Sequence, residues 1–189
     1  FVLQMPEHHL RVISPDVGGG FGSKIFLYAA ECLLVWASAL VNRPIKWTAE
    51  RSESFAYDAQ GRDHVTHGEM AFDADAKILG LRMTSLANAG AYLSDNGPRV
   101  STMAGARIAG TVYDVPAMQL SVKVTFTNTV PVCAYRGAGR PEICYQMERM
   151  LDQRAAAFGI GRDEIRRRNF IRPEALPYKN QIGMVIDSG

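Results

Sequence analysis

Residues 18–24 have the composition of a loop that presents its backbone N–H groups to an anion. They read Gly-Gly-Gly-Phe-Gly-Ser-Lys and follow a turn signal at Pro15 and Asp16. Glycine adopts positive φ easily and lets a bulky group approach the main chain closely. A predicted strand precedes this glycine loop and a predicted helix follows it, and a helix start would add unpaired donors and partial positive charge. The pattern therefore predicts an anionic or oxygen-rich ligand.

A second loop, residues 134–141, combines two arginines with small residues (Ala-Tyr-Arg-Gly-Ala-Gly-Arg-Pro). Arg136 and Arg140 each offer a planar fork of donors that suits phosphates and oxyanions, and the small residues leave room for a cofactor or substrate. Pro141 and Glu142 favour a helix start here. The positive charge of Arg140 at a helix start interacts unfavourably with the helix dipole. We expect a bound anion or the Glu142 carboxylate to offset this cost.

Two familiar phosphate-binding motifs do not match the glycine loop. A Walker A loop needs Gly before the Lys and Ser or Thr after it, whereas Ser23 and Ile25 flank Lys24. A dinucleotide fingerprint counted from Gly18 would need Gly where Ser23 stands. Two alternatives remain open at this point: a tight strand-to-helix connection without a ligand, and a solvated arginine loop.

Other polar clusters carry weaker signals. The four histidines show no spacing to a third ligand, so surface or strand positions are expected for them: His8, His9, His64 and His67. The arginine run at residues 166–168 has acidic neighbours, which predicts a solvated helix face or a subunit contact. The net charge of +2 gives no indication of nucleic acid. The three cysteines form no CxxC pair, which is typical of a reducing cytoplasm.

The elements that must hold these loops follow from periodicity and turn signals. Strands and helices mix without strict βαβ alternation, which predicts an α+β fold. The helix within residues 25–41 is interpreted as a buried core helix and not as a membrane span, because it is short, contains Glu31 and ends before Pro44. Strands are predicted at residues 10–14, 45–47, 64–73, 78–88 and 119–127, with a hairpin turn at 73–77. A brief helical turn is predicted after Thr48, and helices are predicted over residues 142–158 and 163–170. Residues 90–110 are expected to form irregular, packed structure.

The chain resembles the molybdenum hydroxylases, a family of xanthine dehydrogenases, aldehyde oxidases and carbon monoxide dehydrogenase large subunits. Residues 17–24 resemble the family's VGGGFGGK loop, residues 134–141 its AYRGAGRP loop, and residues 162–170 its P-x-E-[IL]-R-x-x-N segment. Residues 1–22 and 45–51 are also similar. The resemblance implies that residues 1–189 are part of one molybdopterin-binding domain, in a middle segment of a longer large subunit.

The resemblance also implies which residues face the cofactor. No side chain need ligate the metal, because the cofactor's dithiolene holds molybdenum. The implied cofactor-binding residues are Gly19, Gly20, Phe21, Gly22, Arg136 and Gly137, and the implied substrate-pocket residues are Ala138 and Ile25. No catalytic residue is expected in this chain, since the family's glutamate lies in a downstream GVGE-like motif and a glutamine lies upstream.

Three departures from family patterns bear on the substrate. Xanthine dehydrogenases have Glu where Ile25 stands and Phe where Ala138 stands, so a purine-selective pocket is not expected. Copper-containing carbon monoxide dehydrogenases have Cys where Gly137 stands, so neither a molybdenum–copper centre nor CO as substrate is expected. Ser23 replaces a glycine and leaves the turn possible.

The implied function is hydroxylation of an aldehyde or an aromatic N-heterocycle with water as the oxygen source. The implied cofactor is molybdopterin with molybdenum, in bacteria usually the cytosine dinucleotide. An iron–sulfur small subunit and an FAD medium subunit are the implied partners, in a dimer of heterotrimers located in the cytoplasm, without nucleic acid or membrane insertion. Alone, the chain is expected to be inactive. The alternatives are an isolated non-catalytic fragment and a generic anion- or phosphate-binding module.

Overall fold

The glycine loop and the arginine loop belong to different units of the chain. The computed structural model describes residues 2–188 and divides into two units, Phe1–Asp58 and Ala59–Gly189. Each unit is described here by itself. Among residues 2–188, no helix combines the length and the apolar character that a membrane crossing requires.

The first unit contains two helices, α1 (Ala29–Val41) and α2 (Arg51–Tyr57), and one 3-10 turn (Glu7–His9). Helix α1 ends at Asn42, which adopts φ 50° and closes the helix in the left-handed conformation. Helix α2 begins after Glu50, whose amide donates to the Glu53 carboxylate at 2.7 Å. The predicted helical turn is therefore confirmed, but its cap is Glu50 and not Thr48.

Two predicted strands and one predicted core helix in this unit are wrong. Residues 10–14 and 45–47 are extended but unpaired, and residues 2–58 contain no strand that could complete a ladder with them. Helix α1 has no buried residue, and its large apolar side chains Leu33, Trp36 and Leu40 are each more than half exposed. An apolar helix becomes a core helix only where another layer covers it, and within the described part of this unit none does.

The second unit is built on a three-stranded sheet of order β1-β2-β3. Strands β1 (His64–Phe72) and β2 (Ile78–Gly90) form the predicted antiparallel hairpin, whose turn is fixed by the Asp73 carboxylate accepting the amides of Asp75 and Lys77. Strand β3 (Met118–Phe126) pairs parallel to β2, which confirms the strand predicted there. The predicted α+β fold class is confirmed.

A parallel pair needs a crossover connection, and here the crossover contains a turn that the sequence did not indicate. Residues 90–110 were expected to be irregular. In the structure a short helix α3 (Gly97–Arg99) continues into a π-helical turn (Val100–Ala104). Val100 and Ser101 are buried there, so this segment packs into the unit and does not merely connect strands.

Two helices close the second unit, α4 (Arg140–Phe158) and α5 (Arg162–Asn169), and a two-stranded ribbon of β4 (Tyr178–Lys179) and β5 (Val185–Ile186) follows. The predicted apolar face of α4 is confirmed: Met147, Leu151 and Ala155 are buried in the core, and the other members of the face pack against it. Gly159 ends α4 at φ 67°, as predicted.

The arginine run of α5 is partly a packing element. Arg166 donates to Glu148 at 2.7 Å and to Asp152 at 2.9 Å, which joins α5 to α4. Tyr113 is buried and donates to the same Glu148 at 2.7 Å; burial, followed by this hydrogen bond, raises the pKa of Tyr113. Arg167 conforms to the predicted solvated face, since it pairs only with exposed Asp163 and Glu164.

Candidate functional site

The glycine loop has the backbone conformation that its composition predicts. Gly19, Phe21 and Gly22 adopt positive φ of 109°, 50° and 102°. The amide of Lys24 donates to Gly20 O at 3.4 Å, and the amide of Ile25 donates to Gly22 O at 3.2 Å. These two bonds close the loop into consecutive turns.

The prediction that a helix start directly follows this loop and supports it is wrong. Helix α1 begins at Ala29, not directly after Lys24. Its first donors have partners within the unit, since the Tyr28 amide donates to the Glu31 carboxylate at 3.2 Å and the Ala30 amide donates to the Tyr57 hydroxyl at 2.8 Å. The helix dipole therefore serves these side chains, and any ligand of the glycine loop is held by the loop itself.

The surroundings of the loop leave its main chain approachable. A Cβ added at Gly18 would have no neighbour within 4 Å, whereas one at Gly19 would meet the Phe21 ring at 2.6 Å. The Phe21 ring is 53% exposed and Ile25 is 65% exposed. The Tyr28 hydroxyl donates to Ser23 O at 2.7 Å and anchors the end of the loop. The main chain is therefore open at Gly18, whereas the Phe21 ring occupies the space beside Gly19.

The arginine loop is a tight double turn at the start of α4. The Ala138 amide donates to Tyr135 O at 2.7 Å, and the Arg140 amide donates to Gly137 O at 3.2 Å. Gly137, Ala138 and Gly139 all have positive φ, at 99°, 46° and 88°. Gly137 is exposed together with the two arginines, while Ala138 is half-buried.

Two glycines of this loop occupy places where no Cβ fits. At Gly137 a Cβ would lie 2.6 Å from Pro141 Cγ. At Gly139 it would lie 2.6 Å from Val100 O and 2.9 Å from Gly105 N, which are backbone atoms of the crossover. The loop therefore keeps its shape through close backbone packing that only glycine allows.

A residue outside the predicted set, Arg62, contacts this loop. Arg62 Nη2 donates to Arg136 O at 2.8 Å, and Nη1 lies 3.4 Å from both carboxylate oxygens of Glu142. Of the two expected partners of Arg140, a bound anion and Glu142, the structure does not support the second, because Glu142 pairs with Arg62 and Arg140 Nη1 donates to Gly137 O at 3.3 Å. Sequence periodicity gives no signal for Arg62, which lies between elements.

A small cavity of about 20 Å³ lies beneath the arginine loop, between the sheet, the crossover and α4, and its walls are mostly apolar. Its lining includes His64, Ser101, Glu142 and Gln146. Burial lowers the pKa of His64, although the Glu142 and Asp63 carboxylates act in the opposite direction. Gln146 Oε1 is buried there without a protein partner. The cavity is large enough for about one water molecule, and the few polar groups in its lining offer hydrogen-bond partners for it.

The two loops offer binding groups and not a set of catalytic groups. The glycine loop offers approachable main chain, and the arginine loop offers two exposed guanidinium groups around small residues. Nowhere in residues 2–188 do three or more His, Cys, Asp or Glu side chains cluster as metal ligands. This donor set suits a bulky anionic cofactor that brings its own metal ligands, which is the chemistry of a metallopterin.

Comparison with known proteins agrees with this donor set. The family model described as molybdopterin cofactor-binding domain matches residues 1–170. The chain is 40% identical over 187 residues to the carbon monoxide dehydrogenase large chain of Hydrogenophaga pseudoflava, covering 98% of this chain and 23% of that protein. It is 34% identical to a putative xanthine dehydrogenase molybdenum-binding subunit of Escherichia coli, covering 90% of this chain and 22% of that protein.

Solved structures give the same result. The crystal structure of quinoline 2-oxidoreductase from Pseudomonas putida 86 superimposes with a TM-score of 0.89 at 34% identity, covering 93% of this chain and 22% of that one. The chain thus spans less than a quarter of the length of these relatives. The resemblance predicted from the sequence motifs is confirmed. Because the family model covers most of the chain and the relatives agree with it, this chain belongs to the molybdopterin cofactor-binding domain family of the molybdenum hydroxylases.

Proposed function

We propose that the chain is the part of a larger molybdenum hydroxylase that binds the molybdopterin cofactor, with the glycine loop and the arginine loop each supplying binding groups. The observation that carries the proposal is the arginine loop, whose tight left-handed turns leave Arg136 and Gly137 exposed. When bound, the cofactor supplies hydroxylation chemistry with water as the oxygen source. The chain supplies the binding surface.

Each loop has a distinct role in this proposal. Gly19, Gly20, Phe21 and Gly22 present main chain to the molybdenum end of the cofactor, since glycines permit close approach. Arg136 donates charge-assisted hydrogen bonds to anionic or oxo groups, and Gly137 leaves room beside it. Ala138 and Ile25 are each proposed to contact the substrate. The cytosine dinucleotide form is proposed, since it is the usual bacterial form.

The proposed substrate is an aldehyde or an aromatic N-heterocycle. Relatives with names such as carbon monoxide dehydrogenase large chain and nicotine 6-hydroxylase large subunit differ in substrate, so similarity alone does not choose among them. Gly137 argues against a cysteine-bound copper, because its φ of 99° and the 2.6 Å approach of Pro141 Cγ disfavour any side chain there. Ala138 and Ile25 argue against a purine.

The proposed partners are an iron–sulfur small subunit and an FAD medium subunit, in a dimer of heterotrimers. Support comes from relatives whose names denote one chain of a complex, such as a "large chain" and a "complex subunit gamma". Location in the cytoplasm is proposed because the described cysteines Cys32, Cys133 and Cys144 are free.

The test is the metal and pterin content of the full-length protein, purified with its complex. We expect molybdenum and pterin in equal amounts, and a loss of about tenfold or more in affinity for Arg136→Gln, because a charge-assisted hydrogen bond contributes about 1.5–3 kcal/mol. Arg82→Gln is the matched control, since Arg82 is an exposed sheet residue paired with Glu69. A protein without molybdenum, or equal content in both variants, would refute the proposal.

The loaded complex should then be assayed with aldehydes, N-heterocycles and CO under identical conditions. Turnover of an aldehyde or heterocycle without turnover of CO is the expected result. CO oxidation would contradict the assignment drawn from Gly137 while leaving the cofactor proposal intact.

A further inference from the structure

Two segments far apart in the sequence run side by side at the base of the arginine loop. Gln60 and Val132 form an isolated parallel bridge, in which the Gln60 amide donates to Pro131 O at 2.9 Å and the Cys133 amide donates to Gln60 O at 2.6 Å. At Gly61 an added Cβ would overlap Tyr135 Cβ. The segment before β1 therefore lies against the chain that leads into the arginine loop and against the first residues of that loop.

The side chain of Arg62 extends this contact into the loop. Its Nη2 donates to Arg136 O at 2.8 Å, and its Nη1 lies 3.5 Å from Tyr135 O. The guanidinium carbon lies 5.1 Å from the centre of the Tyr135 ring, within the range of a cation–π contact. One planar fork therefore reaches two consecutive carbonyls of the loop, and it also reaches Glu142 in the first turn of α4.

The backbone that presents Arg62 is held in a conformation that side chains disfavour. Arg62 and Asp63 have φ of 72° and 69°, although neither is glycine. Asn88 of β2 stabilises this conformation, since its amide donates to Asp63 O at 3.1 Å and its Nδ2 donates to Asp63 Oδ2 at 2.6 Å. Asn88 is buried in the sheet. Such strain persists only where surrounding contacts impose it, and it concentrates at functional sites.

We propose that Arg62 is a positioning residue for cofactor binding: it fixes the peptide plane after Arg136 and so sets the direction in which the Arg136 side chain and the Gly137 amide face the cofactor. This inference rests on the proposed function of the arginine loop. Asn88 of the sheet holds the backbone at Asp63, and the neighbouring Arg62 side chain holds the carbonyl groups of the loop. The loop itself contains three consecutive left-handed residues and needs such an external support.

The geometry distinguishes this role from that of a simple ion pair. The bond to Arg136 O, at 2.8 Å, has good hydrogen-bond length, whereas the contacts to Glu142 are 3.4 Å long. The Arg62 side chain is 35% exposed and the Glu142 side chain is 9% exposed, so solvent screens the ion pair only from the side of the arginine. A lysine at position 62 would keep a positive charge near Glu142 but would lose the planar fork, because its three donors all lie on one nitrogen atom.

The experiment uses the full-length protein in its complex and compares three variants. Arg62→Lys removes the fork and keeps the charge. Glu142→Gln removes the ion pair and keeps the bond from Arg62 to the loop. Arg82→Lys is the matched control, because Arg82 also bonds a carboxylate and a side-chain oxygen on the sheet but does not touch the loop. Each is measured for molybdenum per large subunit, melting temperature and the Mo(V) electron paramagnetic resonance spectrum.

We expect Arg62→Lys to contain less molybdenum per large subunit than the wild type and to alter the Mo(V) spectrum of the fraction that remains loaded, because the loop loses the bond that orients Arg136. Glu142→Gln should lower the melting temperature while keeping both molybdenum content and spectrum, and Arg82→Lys should change none of the three. Unchanged content and spectrum in Arg62→Lys, or an equal loss in Glu142→Gln, would overturn the positioning role. A wild-type complex without molybdenum would instead overturn the proposed function, and this inference with it.

Discussion

Gly139→Ala should destabilise the protein far more than the same change at Gly159, although both glycines flank α4 in the left-handed conformation. Gly139 precedes the helix with φ 88°, and Gly159 follows it with φ 67°. A Cβ at Gly139 would lie 2.6 Å from Val100 O and 2.9 Å from Gly105 N, whereas a Cβ at Gly159 would meet nothing within 4 Å. The two positions share backbone strain and differ in crowding.

The magnitude follows from these two contributions. An alanine in the left-handed region costs about 1–2 kcal/mol at either position. Crowding against backbone atoms, which cannot rotate away, adds about 1–3 kcal/mol at Gly139 only. The expected loss in unfolding free energy is therefore about 2–5 kcal/mol for Gly139→Ala and about 1–2 kcal/mol for Gly159→Ala. Gly139→Ala should therefore melt at a lower temperature than Gly159→Ala.

The measurement is differential scanning calorimetry of the full-length protein, with both variants made in the same background and compared directly. The difference between the two melting temperatures reports the crowding of the added Cβ at position 139, because the backbone strain is common to both variants. Gly139→Ala should also lower molybdenum content, since the displaced crossover carries the arginine loop with it. A Gly139→Ala protein that melts at or above the temperature of Gly159→Ala would refute the packing argument.

Three further predictions concern the second unit. Leu151→Ala, at a fully buried site, should cost about 2–5 kcal/mol of unfolding free energy in a urea titration, whereas Leu79→Ala, at a site 51% exposed, should cost less than about 1 kcal/mol. Asn169→Leu should cost at least about 2 kcal/mol in the same titration, because it leaves the buried Ile78 amide and other polar groups without their partner. Burial lowers the pKa of His64 from 6.5, so the stability this residue contributes above pH 6.5 is lost as the pH falls through the folded pKa. The decrease in unfolding free energy between about pH 7.5 and about pH 5.5 should be smaller in His64→Gln than in the wild type. An equal decrease in both proteins would contradict the assignment to His64.

Local patterns predicted the elements whose stability is local or whose partner is adjacent in the chain. The alternation over residues 119–127 gave β3, and the helical spacing from Ile143 to Phe158 gave the buried face of α4. The hairpin of β1 and β2 followed from two strand-like runs joined by a short turn. In each case the period of the apolar side chains matches the period of the backbone, so the signal is complete within the segment.

Sequence patterns gave wrong predictions where the predicted element depends on a partner that is distant in the chain. Residues 10–14 alternate as a strand would, but a strand exists only when another strand completes its hydrogen bonds, and none among residues 2–58 does so. The apolar stretch that became α1 was expected in a core, but burial depends on what packs over a helix and not on its own composition. The π-helical turn at Val100–Ala104 likewise depends on packing within the crossover.

By itself, the sequence indicated the family through the resemblance of its motifs, and it indicated the two loops because glycine and arginine at those spacings limit the backbone conformation and favour an anionic ligand. Only the tertiary structure decided what supports the arginine loop. Arg62 and Glu142 are 80 residues apart in the chain, and they meet because the sheet, the crossover and α4 bring their backbones together. A long-range contact of this kind has no periodic signature, since the two residues share no element whose repeat could reveal it.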